Sequence, residues 1–597
     1  GVRRRMRRAL LFCGWGEIPS AMHPSPARFA SSLVFSSFRR LVVTACLGAA
    51  VSASAAVLYW DANGDLVGTG GSDTWKDTGQ KLFRLDSANT GALVNWSREA
   101  TNADVAVFAG TDGTVTIGNN QTIYAQGLDF RSDYTLAGGN SGSELRFSAP
   151  AATLSVAAGK TFTLATHLDG AADTTVALQG GGSLIFDQNG AGSLGSSLGL
   201  SIADGTMIAF RNSTVTLRAV TLIDGSLGSN RSDLSENGNL TAGSFEVQHG
   251  TVTVRLHGSS GLTKTTAGTV TIRGSSDYTG TTLVSAGTLE LAGSDSLSRN
   301  AALVIDGGGT LSLSGLSQTA TSVTLRSGSI TGTGTLNASD GSAPISVYSG
   351  SITANLQGTG LTKYGTGTVT IVNQSDLRNG ATVVSGGILD LTRATILNTN
   401  RVVMEGGTLL AGGDQFKNTP IDLAGGRISP AGGLAGGTIT SDRDAKWTSG
   451  GFDFNVWNAT ATGYSGAGYD SLIAGKLDLS GLGARQFTLA VIGLVGSTGP
   501  LGAINNFSGM TKYGPSYTWT FLHTQNGITG FNANQFTVDL AAFSNAYNGS
   551  FSVVQAGNDL NLVYTAVPEP ATYALLLGIG TLGFIGYRRW RRGRAHA

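Results

Sequence analysis

Cysteine is almost absent from this 597-residue chain, with two in all, Cys13 and Cys46, both within the first 55 residues. No disulfide braces the rest, so packing and strand pairing must hold it together. Charged residues are scarce at 13%, and aromatics at 8%, yet the 41% hydrophobic content suffices for a core and excludes general disorder. The 88 glycines follow no three-residue period, which excludes collagen. Beyond residue 55 there is no adjacent Asp-Asp pair, and the closest acidic spacing is Asp442-Arg443-Asp444. The clustered carboxylates and positioned base of a polysaccharide lyase or glycosidase are therefore not evident. What is plentiful is glycine, serine and threonine alternating with valine, leucine and isoleucine, the composition of short strands and tight turns.

The formal charge of +1 is a sum over unlike segments. Residues 1–55 hold eight arginines against one acid, Glu17, then the apolar run Leu41 to Val51 and the small residues Ala53-Ser54-Ala55-Ala56. A basic segment, an apolar core and an A-x-A site predict a secretory signal peptide, cut by signal peptidase after Ala55 or Ala56. A lipoprotein signal at Val43-Thr44-Ala45-Cys46 is the alternative, but few apolar residues separate Arg40 from Cys46. Residues 56–570 carry 26 basic and 37 acidic residues, net −11, which argues against a nucleic-acid partner.

The other end reads Val567-Pro568-Glu569-Pro570, an apolar segment from Ala571 to Tyr587, then Arg588-Arg589-Trp590-Arg591-Arg592-Gly593-Arg594. Seventeen residues at about 1.5 Å each reach roughly 25 Å, the short limit for a single transmembrane helix, with the basic tail on the cytoplasmic side. An ordinary tail anchor explains the helix and the arginines but not Pro-Glu-Pro. The whole segment, VPEPATYALLLGIGTLGFIGYRRWRR, resembles the PEP-CTERM sorting signal of Gram-negative bacteria. That resemblance implies recognition at Pro568, Glu569 and Pro570 by an exosortase, with Arg588 and Arg589 closing the signal. It implies a precursor held in the membrane through 571–587, then transfer to the cell surface or extracellular matrix in the company of exopolysaccharide. The prolines keep the recognition segment extended and outside the helix.

Between the ends lies a repeat. Gly261-Leu262-Thr263-Lys264 through Ile272 recurs ninety-nine residues later as Gly360-Leu361-Thr362-Lys363 through Ile371. At an offset of one hundred, Gly280, Leu283, Ser285, Gly287, Leu289 and Leu291 return as Gly380, Val383, Ser385, Gly387, Leu389 and Leu391. Period-two alternation, as in Thr269-Val270-Thr271-Ile272, turns one set of side chains inward, and stacked coils bury that face continuously. A parallel β-solenoid satisfies this pattern, with paired antiparallel sandwiches as the alternative. At about 22 residues per coil and roughly 4.8 Å spacing, residues 111–440 would form about fifteen coils. Residues 261–291, including Asp277-Tyr278-Thr279-Gly280, resemble the autotransporter-associated β-strand repeat, from which the second copy departs at Leu377-Arg378-Asn379. The resemblance implies a right-handed parallel β-helix of structural or adhesive surface proteins.

The expected organisation is a leader (1–55), an N-terminal β-cap (56–110), the solenoid (111–440, clearest in 245–344 and 345–400), a C-terminal β-region (441–566) and the sorting signal (567–597). Trp60, Trp75 and Trp96 precede the repeats and Trp447, Trp457 and Trp519 follow them, as caps or as sugar-stacking platforms. Asp61, Asn63 and Asp65 have the alternate spacing of a calcium loop, and Asp470 lies in a partial calcium nonapeptide, but both patterns also describe turns. His249 and His257 face Ser349 and Gln357 in the other copy, as repeat-surface residues do. No cofactor or catalytic residue is expected. The reading is an exported, non-catalytic, structural or adhesin-like protein. The alternatives are a polysaccharide lyase or glycosidase on a β-helix scaffold, and a glycan-binding module using the terminal tryptophans.

Overall fold

Alternation along each strand decides the architecture. In Thr310–Leu313 and Ser322–Leu325 every second residue is buried and the residues between are half-buried, so each strand has one inward face. The computed structural model describes residues 55–593 except 65–67, 77–78, 80, 89, 103, 188–192, 212–213, 229–237, 339–344, 395–396, 433–435, 465–467, 511–514 and 567–569. The side chains of 211, 378–379, 397, 570–573 and 593 also lie outside the description. Residues 1–53 form a separate unit outside the described residues, and one compact unit runs from Ser54 to Ala597.

The inward faces stack by parallel pairing of each coil on the next. Val57–Trp60 pairs with Val105–Phe108, which pairs with Gly127–Phe130, then Ala151–Val156 and Thr175–Gln179. The same ladder continues through Leu262–Lys264, Thr282–Val284 and Ala302–Ile305 to Ala445–Val456, Phe487–Gly493 and finally Phe536–Ala542. Two further ladders run beside it, one beginning with Asp73–Trp75 on Gly113–Ile117 and the other with Thr122–Ala125 on Glu144–Phe147. Parallel coils, not facing antiparallel sandwiches, form the body. The advance per coil ranges from 16 residues, Ile345 onto Leu361, to 26, Gly127 onto Thr153. Near the C-terminal end it lengthens to 37, Gly450 onto Phe487, and 49, Phe487 onto Phe536.

A solenoid exposes core at both ends unless something covers it. At the N-terminal end Lys81–Arg84 reverses direction and pairs antiparallel with Val57–Trp60 and Val94–Asn95. Its Phe83 packs with Trp60 and Trp96 at 5.3 and 4.8 Å, and Trp75 meets Trp96 edge-on at 5.0 Å. At the other end an antiparallel group of Tyr517–Thr524, Asp559–Thr565 and Ser550–Ala556 brings Tyr517, Trp519 and Phe551 together.

Pro570–Gly593 is an α-helix of 24 residues. The sequence-based expectation that it spans a membrane through 571–587 is corrected: among the described residues no helix is long and apolar enough to cross one. Gly578, Gly580, Gly583 and Gly586 add no apolar side chain, and four arginines enter within the next turn and a half. The apolar part falls short of a hydrocarbon core of about 30 Å.

Candidate functional site

The sequence-predicted ligand residues lie in tight intramolecular contacts. Asp61 and Arg84 are both buried, and Arg84 Nε donates to Asp61 Oδ2 while Nη2 donates to the Gly64 carbonyl at 2.6 Å. The guanidinium thus takes up oxygens of the loop in which a calcium ion was considered. Removing one partner of a buried pair costs about 3–5 kcal/mol, so this contact pins the first coil. Asn63 Oδ1 is buried without a hydrogen-bond partner, and Asp65 lies outside the described residues. Asp470 accepts from the Gly437 and Asn455 amides at 2.7 and 3.0 Å and from Asn455 Nδ2 at 2.7 Å. Burial pushes its carboxyl well above the usual range despite those bonds. Among the described residues no three His, Cys, Asp or Glu side chains gather as a metal site.

Each body histidine joins neighbouring strands. His249 donates to Asp224 at 2.8 Å, His257 to Asp277 at 2.7 Å and His523 to Asp559 at 2.7 Å, while His167 shares a hydrogen bond with Ser193. The tryptophans considered as sugar platforms are buried: Trp60, Trp447 and Trp519 are fully enclosed, and the most exposed of the six, Trp457, shows 8%. None presents a ring face to a glycan. The exposed stacked aromatics are Tyr348 on Tyr364, 5.4 Å apart on successive coils, and Tyr464 on His523 at 4.1 Å.

Sequence reasoning missed a charged cleft of about 580 Å³ where the coils lengthen, lined by Arg401, Asp422, Asp444, Lys446, Lys476, Asp478, Ser480 and Thr529. Lys446 stands opposite Asp478, which stands opposite Thr529, one position per coil. Arg401 Nη1 donates to Asp422 at 2.8 Å, and Asp422 also accepts the Lys446 amide at 2.8 Å. Ser480 donates to Asp478 through Oγ at 2.6 Å and through its amide at 2.9 Å, and these bonds hold that carboxyl below its usual range. Only a register could have exposed this cleft, because its residues are spread over more than a hundred positions of sequence.

At the C-terminus, Pro570 opens the helix, a position where its missing N–H costs nothing. Pro568 and Glu569 lie outside the described residues. Arg588 and Arg589 are exposed near the helix end, Arg588 lying 5.4 Å from the Phe584 ring. Residues 566–592 match the PEP-CTERM protein-sorting motif. The chain carries a PEP-CTERM sorting signal. That signal marks an exported, cell-surface or extracellular protein handled by exosortase-mediated processing. A second similarity concerns the body: 272 residues are 30% identical to the adhesin BmaC autotransporter of Brucella suis biovar 1 (strain 1330). The match covers 44% of this chain but 8% of the adhesin, so the chain spans under a tenth of that relative. The PEP-CTERM protein is thus an exported surface β-solenoid resembling autotransporter passengers. At its other end Ala53 lies outside the described residues, as does the leader. Ala55 is described and exposed, and the Ala56 amide already donates to Asp104 at 2.9 Å.

Proposed function

We propose that this protein is a non-catalytic, adhesin-like scaffold of the cell surface or extracellular matrix, lodged among exopolysaccharide after processing at Pro568, Glu569 and Pro570. The observation that carries the reading is the single parallel ladder from Val57 to Ala542, closed by aromatic caps at both ends. Such a column presents rows of short polar side chains at a fixed spacing, which suits lateral contact with long polymers. The disposition of carboxyls supports a passive role. A general acid in glycoside chemistry needs a raised pKa facing a cleft. Among the described residues the carboxyl pushed upward is Asp470, whose oxygens are occupied by Gly437 and Asn455, whereas Asp478 in the cleft is pulled down.

The test combines fractionation with a turnover screen. Native protein is expected in surface or matrix fractions, with a C-terminus upstream of Ala571 by mass spectrometry and no product released from neutral or uronic-acid polysaccharides. Product release would replace the scaffold reading with a polysaccharide-degrading enzyme. Intact residues beyond Tyr587 in those fractions would rule out processing at Pro-Glu-Pro.

A further inference from the structure

We propose that the charged cleft between Arg401 and Thr529 is a binding site for an uncharged, hydroxyl-rich glycan chain lying along the coil axis, an inference that rests on the scaffold reading above. The cleft arises because the coil advance jumps from 24 residues, Leu423 onto Trp447, to 37 at the next turn, which leaves a ledge beside the ladder. Its outward row reads Lys446, Asp478, Thr529 on successive coils, about 4.8 Å apart. Donor, acceptor and hydroxyl therefore alternate at the spacing of the coils. Among the described residues neither Lys446 nor Lys476 has a carboxylate within 4.0 Å, yet both are close enough to help lower the Asp478 carboxyl. Their ammonium groups are donors not committed elsewhere, and Ser480 fixes the Asp478 carboxylate so that its remaining lone pairs stay aimed.

Other ligand classes fit less well. A metal ion would meet two ammonium groups, with Asp422 already engaged by Arg401 and by the Lys446 amide. A polyanion would approach a body of net charge −11, and the three basic side chains of the cleft are matched by three carboxylates. A sugar diol both donates and accepts, as this row requires, and carries no charge to be repelled. The volume of about 580 Å³ falls within the range of small-ligand sites, roughly 300–1,000 Å³.

The experiment measures binding of the full exported chain to hexasaccharides of neutral glucans and to oligogalacturonate, for the wild type, Lys446→Met/Lys476→Met, Asp478→Asn, and Lys160→Met as a distant control. Neutral-glucan binding should weaken at least about tenfold in the lysine double variant and in Asp478→Asn, as expected when hydrogen bonds to charged groups are lost. Lys160→Met should bind as wild type, and all variants should keep the wild-type Tm. Absence of neutral-glucan binding, binding confined to oligogalacturonate, or cleft variants that bind like wild type would each overturn the cleft assignment. Matrix retention of the same strains separates the two proposals. Retention of the wild type without glucan binding leaves the scaffold standing and removes the cleft, whereas failure of the wild type to reach the matrix removes the scaffold reading itself.

Discussion

The two copies of the repeat, residues 261–291 and 360–391, share their interior plug and differ in how they satisfy the hydroxyl beside it. In both, a lysine stands in an aliphatic row: Lys264 between Val247 and Val284, and Lys363 between Val347 and Val384. Both lysines are fully enclosed. Lys264 donates to the carbonyls of Thr266 and Ala286, and Lys363 to those of Tyr364, Gly365 and Gly386 at 2.7, 3.3 and 3.0 Å. Each ammonium therefore ties the bend of its own coil to the bend of the next. Gly287 and Gly387 sit beside these groups with φ of +61° and +62°, a backbone that side-chain-bearing residues rarely adopt. The copies diverge at Thr282 and Thr382. Thr282 shares a hydrogen bond of 2.7 Å with the buried Tyr278 hydroxyl. In the second copy Leu377 fills the interior, and the buried Thr382 Oγ1 has no partner. One copy resolves its polar interior with a phenol, and the other carries an orphaned hydroxyl inside a longer strand, Ser375–Val384.

The largest expected effect tests what the copies share. Lys264→Ala and Lys363→Ala should each cost about 3–5 kcal/mol, combining a cavity with bend carbonyls left unpaired. Lys264→Met and Lys363→Met should recover the packing and leave a cost of about 1–3 kcal/mol. Urea unfolding followed by hydrogen exchange of the flanking strands would measure this, and clearly unequal costs would break the equivalence. The pH dependence has a definite sign. Burial holds both lysines below the ordinary 10.5, so the unfolded chain binds more protons between the folded value and 10.5. Stability should rise with pH through that window in the wild type, relative to the methionine variants.

A smaller effect tests what separates them. Thr282→Val strands the Tyr278 hydroxyl, which burial already pushes to a pKa of about 12, and should cost about 1–3 kcal/mol. Thr382→Val removes a hydroxyl that bonds to nothing and should be neutral or stabilising by about 1 kcal/mol. Opposite signs for the same substitution, read from the same urea midpoints, would sharpen the comparison, and equal losses would show that Thr382 is satisfied in solution.

Much of this architecture was legible in the order of residues. Alternation in Thr269-Val270-Thr271-Ile272, the ninety-nine-residue offset and the tryptophans at both ends follow from local periodicity, and the parallel ladder and aromatic caps embody them. What was not legible depends on contacts between distant coils. Lys264 and Lys363 read as polar strand ends, and only the register places them in an aliphatic row. Arg84 lies 23 residues from the Asp61 it neutralises, so the loop alone suggested a metal. The cleft draws on residues from 401 to 529. The C-terminal segment misled for a different reason: its length approached a membrane span, but its four glycines and adjoining arginines dilute the apolar character.

The finest test concerns the outer seam. In the first copy Asp277 accepts from both Arg255 and His257, whereas the matching strand of the second copy pairs Gln357 with Asp376. Burial raises the Asp277 carboxyl, but the bonds from His257 and Arg255 outweigh it and leave the carboxyl below its usual 3.8. A carboxyl depressed in the folded state contributes stability above the unfolded value, and that contribution disappears as pH falls below 3.8 through the folded value. Solvent screening of this partly exposed cluster keeps the contribution below about 1 kcal/mol. Amides of Arg255–His257 should therefore lose a little protection below pH 4, and Asp277→Asn should abolish that change while leaving Asn355–Gln357 unaffected. Equal acid sensitivity in both strands would mean that the cationic partners of Asp277 add nothing, and the two copies would then differ only in their interiors.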